Sequence, residues 1–418
     1  MATMADLGYD DRNKRGRDDG MDQHVTKQTI KKTVYQHIAQ RGNVSKADLL
    51  ASYSLASSTM NRLLEELIGS KLIEESGFGP SNGGRKPILY RINDSFGYIF
   101  GIEISRFYST LGLFDMNMNP KSSIRWRMDE DLTPEHFVKR VDAQIKQLLN
   151  DHQLDEKQII GIGIGAVGPL NREEGIILNP LYFPARGWNN VPICRMIEEA
   201  TGFRAMLDNG ANTALIGEHW AMREERIEHM IYVHAGVSMR SAMMSYGQIV
   251  YGTVDMEGSI AQMIIQADGP RLQEHGNYGA LEAFVSVQAI EKQARSDARM
   301  GNDALTAALN VAPDQISYDM VLRELSLGSG YAHELFQRSA RYFGIGLANL
   351  INMFHPQTII LGGTLVNSHE RFFQTATETA KRSTYYFPEY VPFFSKGILK
   401  EDAVATGAAL MVWKAMEV

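Results

Sequence analysis

The 418 residues predict two or three domains, and an apolar content of 44% supplies enough nonpolar surface for large cores, which excludes a disordered chain. The net charge of −7 is uneven: residues 1–20 carry four basic and five acidic groups and residues 21–94 ten basic and seven acidic, leaving the remainder strongly acidic, so a surface for nucleic-acid phosphates is confined to the N-terminal part. With Cys194 as the single cysteine there is neither an intrachain disulfide nor a thiolate zinc cluster, and the lack of an eighteen-residue apolar run or a leader-like apolar N-terminus argues for a cytoplasmic protein without membrane insertion.

Residues 1–22 are dense in Asp, Arg, Lys and Gly and read as a mobile polar tail, in which Arg12, Lys14, Arg15 and Arg17 are suited to nonspecific phosphate contacts. Next, Ile30, Val34 and Ile38 recur every fourth residue and predict a helix over about Thr29 to Gln40. Ser45 then precedes an apolar-periodic stretch with Asp48 three residues on. A hydroxyl cap and an acid at the positive helix end predict a short helix over about Lys46 to Ser52. Tyr53-Ser54-Leu55 breaks the pattern. Met60, Leu63, Leu64, Leu67 and Ile68 then form one buried stripe of a further helix.

The opposite leading face of that helix carries Ser57, Ser58, Thr59, Asn61 and Arg62 with no acid among them, while Glu65 and Glu66 come a turn later. Phosphates can approach such a face without meeting a carboxylate, Asn61 and Arg62 have the reach and donors for base edges, and the hydroxyls suit phosphates or either base type. Gly77-Phe-Gly-Pro-Ser-Asn-Gly-Gly84 is too glycine-rich for a helix, and Arg85-Lys86-Pro87 leads into the alternating Ile88, Tyr90 and Ile92. This predicts a β-wing with a basic exit. A polar helix face alone is most simply a solvated one; with the wing appended, residues 23–92 read as a winged helix-turn-helix DNA-binding domain.

From Phe96 onward short apolar runs alternate with helical periods. Strands are predicted within Tyr98 to Phe114 (a pair), Ile159 to Val167, Met230 to Gly236 and Arg240 to Tyr246, and helices over Glu135 to Asn150, Val287 to Met300, Ala332 to Phe354 and Arg371 to Arg382. The mixture implies an α/β fold with covered sheets, and the repeated strand-then-glycine plan implies two similar lobes around a cleft. Gly163-Ile-Gly165-Ala-Val-Gly168 fits the dinucleotide fingerprint, but Pro169 to Gly175 reads as a turn where that fingerprint needs a helix, so no nicotinamide cofactor is expected.

Several segments in order carry a resemblance: Gly161-Ile-Gly-Ile-Gly-Ala-Val-Gly-Pro169, Leu178-Asn179 with Gly187-Trp188-Asn-Asn-Val-Pro192, Leu207-Asp-Asn-Gly-Ala-Asn-Thr-Ala-Leu-Ile-Gly-Glu218, Gly344-Ile-Gly-Leu-Ala-Asn-Leu-Ile-Asn352 with Ile359-Ile-Leu-Gly-Gly363, and Gly407-Ala-Ala409. Over roughly residues 25 to 418 the chain resembles the ROK family (repressors, open reading frames and sugar kinases), and its repressor branch in particular. The resemblance implies a two-lobed, actin-like sugar-kinase scaffold behind a DNA-binding head, with lobe 1 in residues 93–210 plus 390–418 and lobe 2 in 211–389. It also implies a homodimer or homotetramer whose operator binding is controlled by a sugar-like effector.

The departures from the family pattern are as informative as the matches. The kinases' general base is the last aspartate of Asp-Asn-Asp-Ala-Asn, whereas this chain has Gly210 there, and glycine takes no proton. A positioned base contributes ~10²–10⁴ in rate. The first phosphate loop has become Glu103-Ile-Ser105-Arg106-Phe107 and the second His234-Ala-Gly-Val-Ser-Met-Arg-Ser241, placing side chains where backbone amides would hold phosphate. The zinc-binding histidine and cysteines of the family are missing, with Gln262 and Ala280 in two of their places. Neither catalysis nor a cofactor or metal is therefore expected. An effector pocket is expected around Asn189, Asn209, Gln262 and Glu282, of which Asn209 and Glu282 match family positions for hexose hydroxyls. A buried Glu282 demands a partner, either a ligand or a neighbouring side chain. The sequence thus points to a sugar-responsive transcriptional repressor. The alternatives it leaves open are a sugar kinase with a regulatory head and an effector-independent regulator controlled by a protein partner.

Overall fold

In a computed structural model of the chain the described residues are 19–80, 86–255 and 257–418, with side chains described from residue 29 onward. They form two compact units, one made of the residues up to Asn93 together with Glu417–Val418 and one spanning Asp94–Met416.

In the first unit α1 covers Asp19–Arg41, α2 Lys46–Ser52 and α3 Ser57–Gly69, followed by the strands β2 (Ile73–Phe78) and β3 (Ile88–Ile92). The helix begins four residues inside the segment expected as a tail, because each residue added to an existing helix gains a hydrogen bond without a new nucleation cost; residues 1–18 lie outside the described ones. Ser45 caps α2 reciprocally: its hydroxyl oxygen accepts from the Asp48 amide at 3.3 Å and Asp48 accepts from the Ser45 amide at 2.8 Å. The hydroxyl contact to Asp48, foremost, holds that carboxyl below its usual range. Val34, Ile38, Leu49, Met60, Leu63 and Leu67 are buried together with Ile73 and Ile92. The two-residue strand β1 (Val44–Ser45) joins β3, giving the order β1-β3-β2.

The second unit contains, among the described residues, two five-stranded sheets. The first is built from β4 (Tyr98–Ile104), β5 (Tyr108–Asp115), β6 (Pro120–Arg127), β7 (Ile159–Ala166) and β10 (Ala205–Asn209); the second from β11 (Met230–Ala235), β12 (Met239–Ser245), β13 (Gln248–Ile249), β14 (Thr358–Gly362) and β15 (Phe393–Ser395). Their orders, β10-β7-β4-β5-β6 and β15-β14-β11-β12-β13, are the same topology: an antiparallel meander extended on its first strand by two parallel ones. The two lobes expected from the sequence are therefore topological repeats. The return to the first lobe comes later than residue 390, because Phe393–Ser395 pairs in parallel with Thr358–Ile360 of the second sheet.

On the first sheet, α4 (Pro134–Asp151) and α5 (Ile193–Thr201) bury Phe137, Val141, Ile145, Ile193 and Ile197. The second sheet's core is closed by helices from the C-terminal half: α7 (Val287–Arg299), α8 (Ala304–Leu309), α9 (Tyr318–Ser326), α10 (Gly330–Phe354), α11 (Thr364–Ser368) and α12 (Glu370–Ser383). The helices α6 (Gly210–Ala221) and α13 (Ala403–Ala415) pack on each other, and α13 also lies on β4 and β7. Their closeness explains two glycines. A Cβ on Gly163 of β7 would overlap the carbonyl oxygen of Ala408, and one on Gly407 would overlap that of Thr213. The fingerprint-like glycine run thus lets backbones approach, and it is followed by a small hairpin, β8 (Leu170–Asn171) with β9 (Ile176–Ile177), where a dinucleotide site would have a helix. Cys194 is buried, and burial with the nearby Glu198 pushes its thiol up to about 12. No helix among the described residues is long and apolar enough to cross a membrane.

Candidate functional site

Two sets of residues are candidates, one in each unit. In the first unit, Ser57, Ser58, Asn61 and Arg62 are exposed and Thr59 is half-buried, all on α3 opposite its buried stripe. The residue before this helix is Ala56, no side chain caps its first turn, and no acid stands there. Its first amides are therefore free to meet an anion, with the helix dipole in favour. Arg62 lies 3.9 Å from Glu66, with its own side chain 59% exposed. Lys86 is exposed beside the strand pair, which Gly79 and Pro87 close with a backbone hydrogen bond of 2.8 Å. Arg85 lies outside the described residues.

In the second unit a cavity of about 420 Å³ opens between the two sheets, lined by Glu103, Arg106, Gly210, His234, Arg240 and Gly363 among others. The β4–β5 turn, through Ser105, Arg106 and Phe107, lines this space. Arg106 is buried with its Nε donating to the Leu181 carbonyl at 2.7 Å, and Phe107 is 52% exposed.

The cleft is electrically unusual. Burial foremost pushes the Glu103 carboxyl up to about 7, although Arg125 and Arg240 pull it back. Burial, then Arg240 and Arg106, hold His234 well below its ordinary range, hence neutral. Because folding favours the protonated Glu103, its contribution to stability is fully present below the unfolded value and is lost as pH rises through about 7. Glu103→Gln is therefore expected to raise the melting temperature at pH 8 and leave it unchanged at pH 5; equal shifts at both values would contradict this environment.

The residues expected around a sugar separate into two groups. Gln262 donates to Glu282 at 2.6 Å, and its own amide oxygen accepts from the Asn277 backbone at 2.8 Å. The partner demanded by a buried Glu282 is thus a side chain of this protein. Its carboxyl is raised by burial and pulled back by Gln262. Asn209 serves elsewhere: its oxygen caps α6 at the Ala211 amide (3.0 Å) and its amide reaches Asp255 at 3.5 Å. Asn189 is exposed, and among the described residues no hydrogen bond joins it to the other three. His275 is exposed.

Sequence reasoning missed Asp255, Tyr251 and Arg172. The Tyr251 hydroxyl donates to Asp208 at 2.7 Å, Arg172 lies over the Tyr251 ring at 3.8 Å, and Asp255 is raised first by burial. Asp208 is buried and also accepts from Asn212 at 3.0 Å. Nothing periodic marks these positions; the loop after β13 carries Tyr251 and Asp255 back to the end of β10.

The ROK family model matches residues 99–415. The xylose repressor of Caldicellulosiruptor bescii is 26% identical over 391 residues, covering 93% of this chain and 96% of its own length. The glucokinase of Thermotoga maritima is 26% identical over 253 residues, 60% of this chain and 78% of its own length. A crystal structure of a ROK family transcriptional regulator, a homolog of the E. coli MLC protein, shares the fold with a TM-score of 0.73 at 21% identity, over 94% of this chain and 100% of that one.

Proposed function

The chain belongs to the ROK family, and from that membership we propose that it is a DNA-binding transcriptional repressor, controlled by a small sugar-like effector and without kinase activity. The observation that carries the reading is the alignment with the xylose repressor across 93% of this chain, which takes in the N-terminal unit as well as the family body. The N-terminal unit then acts as a winged helix-turn-helix: α3 enters the major groove with Ser57, Ser58, Thr59, Asn61 and Arg62, and Arg85 and Lys86 meet phosphates from the wing. Paired heads of a homodimer or homotetramer bind half-sites whole helical turns apart, about 34–36 Å per turn.

In the body, Gly210 offers no proton acceptor in the place where the family's kinases carry one, which supports binding without phosphoryl transfer. The residues assigned to the effector are the pair Gln262 and Glu282 and, separately, Asn209 with Asp255, while Asn189 stands apart from both. Effector binding shifts the assembly between two states of unequal operator affinity. Glu282→Gln is expected to weaken the effector response while sparing operator binding; loss of both together with the native circular dichroism would make the residue structural.

The test of the whole reading is a gel-shift titration on the DNA upstream of the protein's own coding sequence, repeated with candidate sugars. Retention of a defined fragment, released by one sugar, is the expected result. Coupled ADP release with a sugar panel tests the kinase alternative, and steady turnover would overturn the present reading.

A further inference from the structure

Where β14 and β15 begin, the second sheet leaves a group of large apolar side chains in water. Met353 and Phe354 end α10, Tyr385, Tyr386 and Phe387 follow α12, and Phe393 opens β15; each is between 40% and 83% exposed. They share one neighbourhood. The Tyr385 amide donates to Asn352 Oδ1 at 2.9 Å, the Phe393 amide to the Gln357 carbonyl at 2.9 Å, and the His355 ring centre lies 6.3 Å from that of Tyr386. The frame beneath them is pinned: the Tyr390 hydroxyl donates to the Pro356 carbonyl at 2.6 Å, and the buried Thr384 hydroxyl to that of Ala380 at 2.9 Å. Aromatic groups held this way lose little freedom when a partner docks.

The size of the face is the deciding quantity. At roughly 200 Å² for a full side chain of this bulk, the exposed fractions amount to about 700 Å². A monomer rarely leaves more than a few hundred Å² of contiguous apolar surface in water, whereas each partner of a stable complex covers about 800 Å². β15 is also the last strand of its sheet, so among the described residues its outer backbone edge has no neighbour and adds hydrogen-bonding groups to the same face.

The chemistry narrows the occupant. No lysine or arginine stands in 383–395 or in 352–357, and the one acid or base in the two stretches is Glu389. Lipid headgroups and nucleic-acid phosphates therefore find no cation within the patch. Nearby, Lys396 is paired with Glu370 at 2.6 Å. Residues 1–18, dense in charge, do not match an apolar face. A second copy does, because a two-fold contact sets the patch against itself, and closed two-fold pairs are the commonest assembly of soluble chains.

We infer that this face, built from the end of α10, the segment after α12 and the edge strand β15, is where two copies of the chain meet in solution. The inference rests on the oligomeric part of the function proposed above and names the surface that forms it.

Sedimentation equilibrium of the full-length protein over a range of concentrations tests this. Wild type is expected as a dimer or tetramer. Tyr385→Ser combined with Tyr386→Ser is expected to raise the dissociation constant of the pair roughly a hundredfold or more, while Tyr385→Phe with Tyr386→Phe keeps the wild-type mass. Met300→Ser, at an exposed site outside the patch, is the control and keeps it too. Circular dichroism melting with an unchanged cooperative transition shows that the variants fold. An oligomeric wild type whose mass the double serine variant retains overturns the inference and leaves the oligomeric reading standing. A wild type monomeric at every concentration overturns both, and its sedimentation with phosphatidylglycerol vesicles would then give the face to a membrane.

Discussion

Gly407→Ala is expected to destabilise the body of the protein by at least about 3 kcal/mol, the upper end of ordinary overpacking costs, and Gly407→Val to prevent its folding. Two effects compete at this site. Alanine in a helix interior is favoured over glycine by about 1 kcal/mol, so on propensity alone the substitution in α13 would stabilise. Packing decides the sign, because the added Cβ would overlap the Thr213 carbonyl oxygen of α6, and backbone cannot rotate away as a flexible side chain does. The helix must move, and its other contacts, on β4 and β7, move with it. Urea denaturation followed by tryptophan fluorescence measures the effect, since the Trp220 and Trp413 rings meet at 5.6 Å between centroids across the same helix pair. Gly258→Ala is the control, its Cβ meeting nothing closer than 4.0 Å. A Gly407→Ala transition within about 1 kcal/mol of wild type would show that the α6–α13 contact is looser than described.

Arg62→Ala is expected to weaken specific operator binding by roughly 10- to 100-fold, the worth of one good bidentate base contact, and nonspecific binding much less. The pair with Glu66 does not hold the arginine back, since an exposed pair at 3.9 Å is worth about 0–1 kcal/mol. Lys86→Ala behaves differently under the same reading: affinity falls on all sequences, and the salt slope drops by about one unit. Gel shifts at several salt concentrations, on operator and on scrambled duplex, separate the two. An Arg62→Ala protein with undiminished preference for operator would remove α3 from the groove.

The two predictions draw on different kinds of legibility. The α3 face was readable because a helix repeats every 3.6 residues, so the alternation of Met60, Leu63, Leu64 and Leu67 with Ser57, Ser58, Asn61 and Arg62 already separates buried from exposed. The Ser45–Asp48 box was readable because its hydrogen bonds span three residues. In the body, the strand pairs and long helices were visible, yet β6 was not, because Pro120–Arg127 lies at the sheet edge, is polar along most of its length and buries only Trp126.

The site was less legible. Gly210 announced a missing base, but nothing local to Arg240 says that its guanidinium lies against the start of α6, thirty residues earlier in the chain. The size of the β4–β5 turn's side chains is plain in the sequence, but the hydrogen bond from Arg106 to the Leu181 carbonyl, distant in sequence, is not. Glu282 showed a need for a partner without identifying Gln262, although both had been noted.

By itself the sequence determined the family, the longer periodic elements and which helix face stays wet, since these depend on residue type, order and short-range periodicity. The tertiary structure alone decided the ionisation and partners of the cleft groups: that burial pushes Glu103 up to about 7, that Asp255 joins Asn209, and that Gln262 donates to Glu282. Charge solvation and hydrogen bonding in a cavity depend on which distant segments close around it, and that is a property of packing rather than of neighbouring residues in the chain.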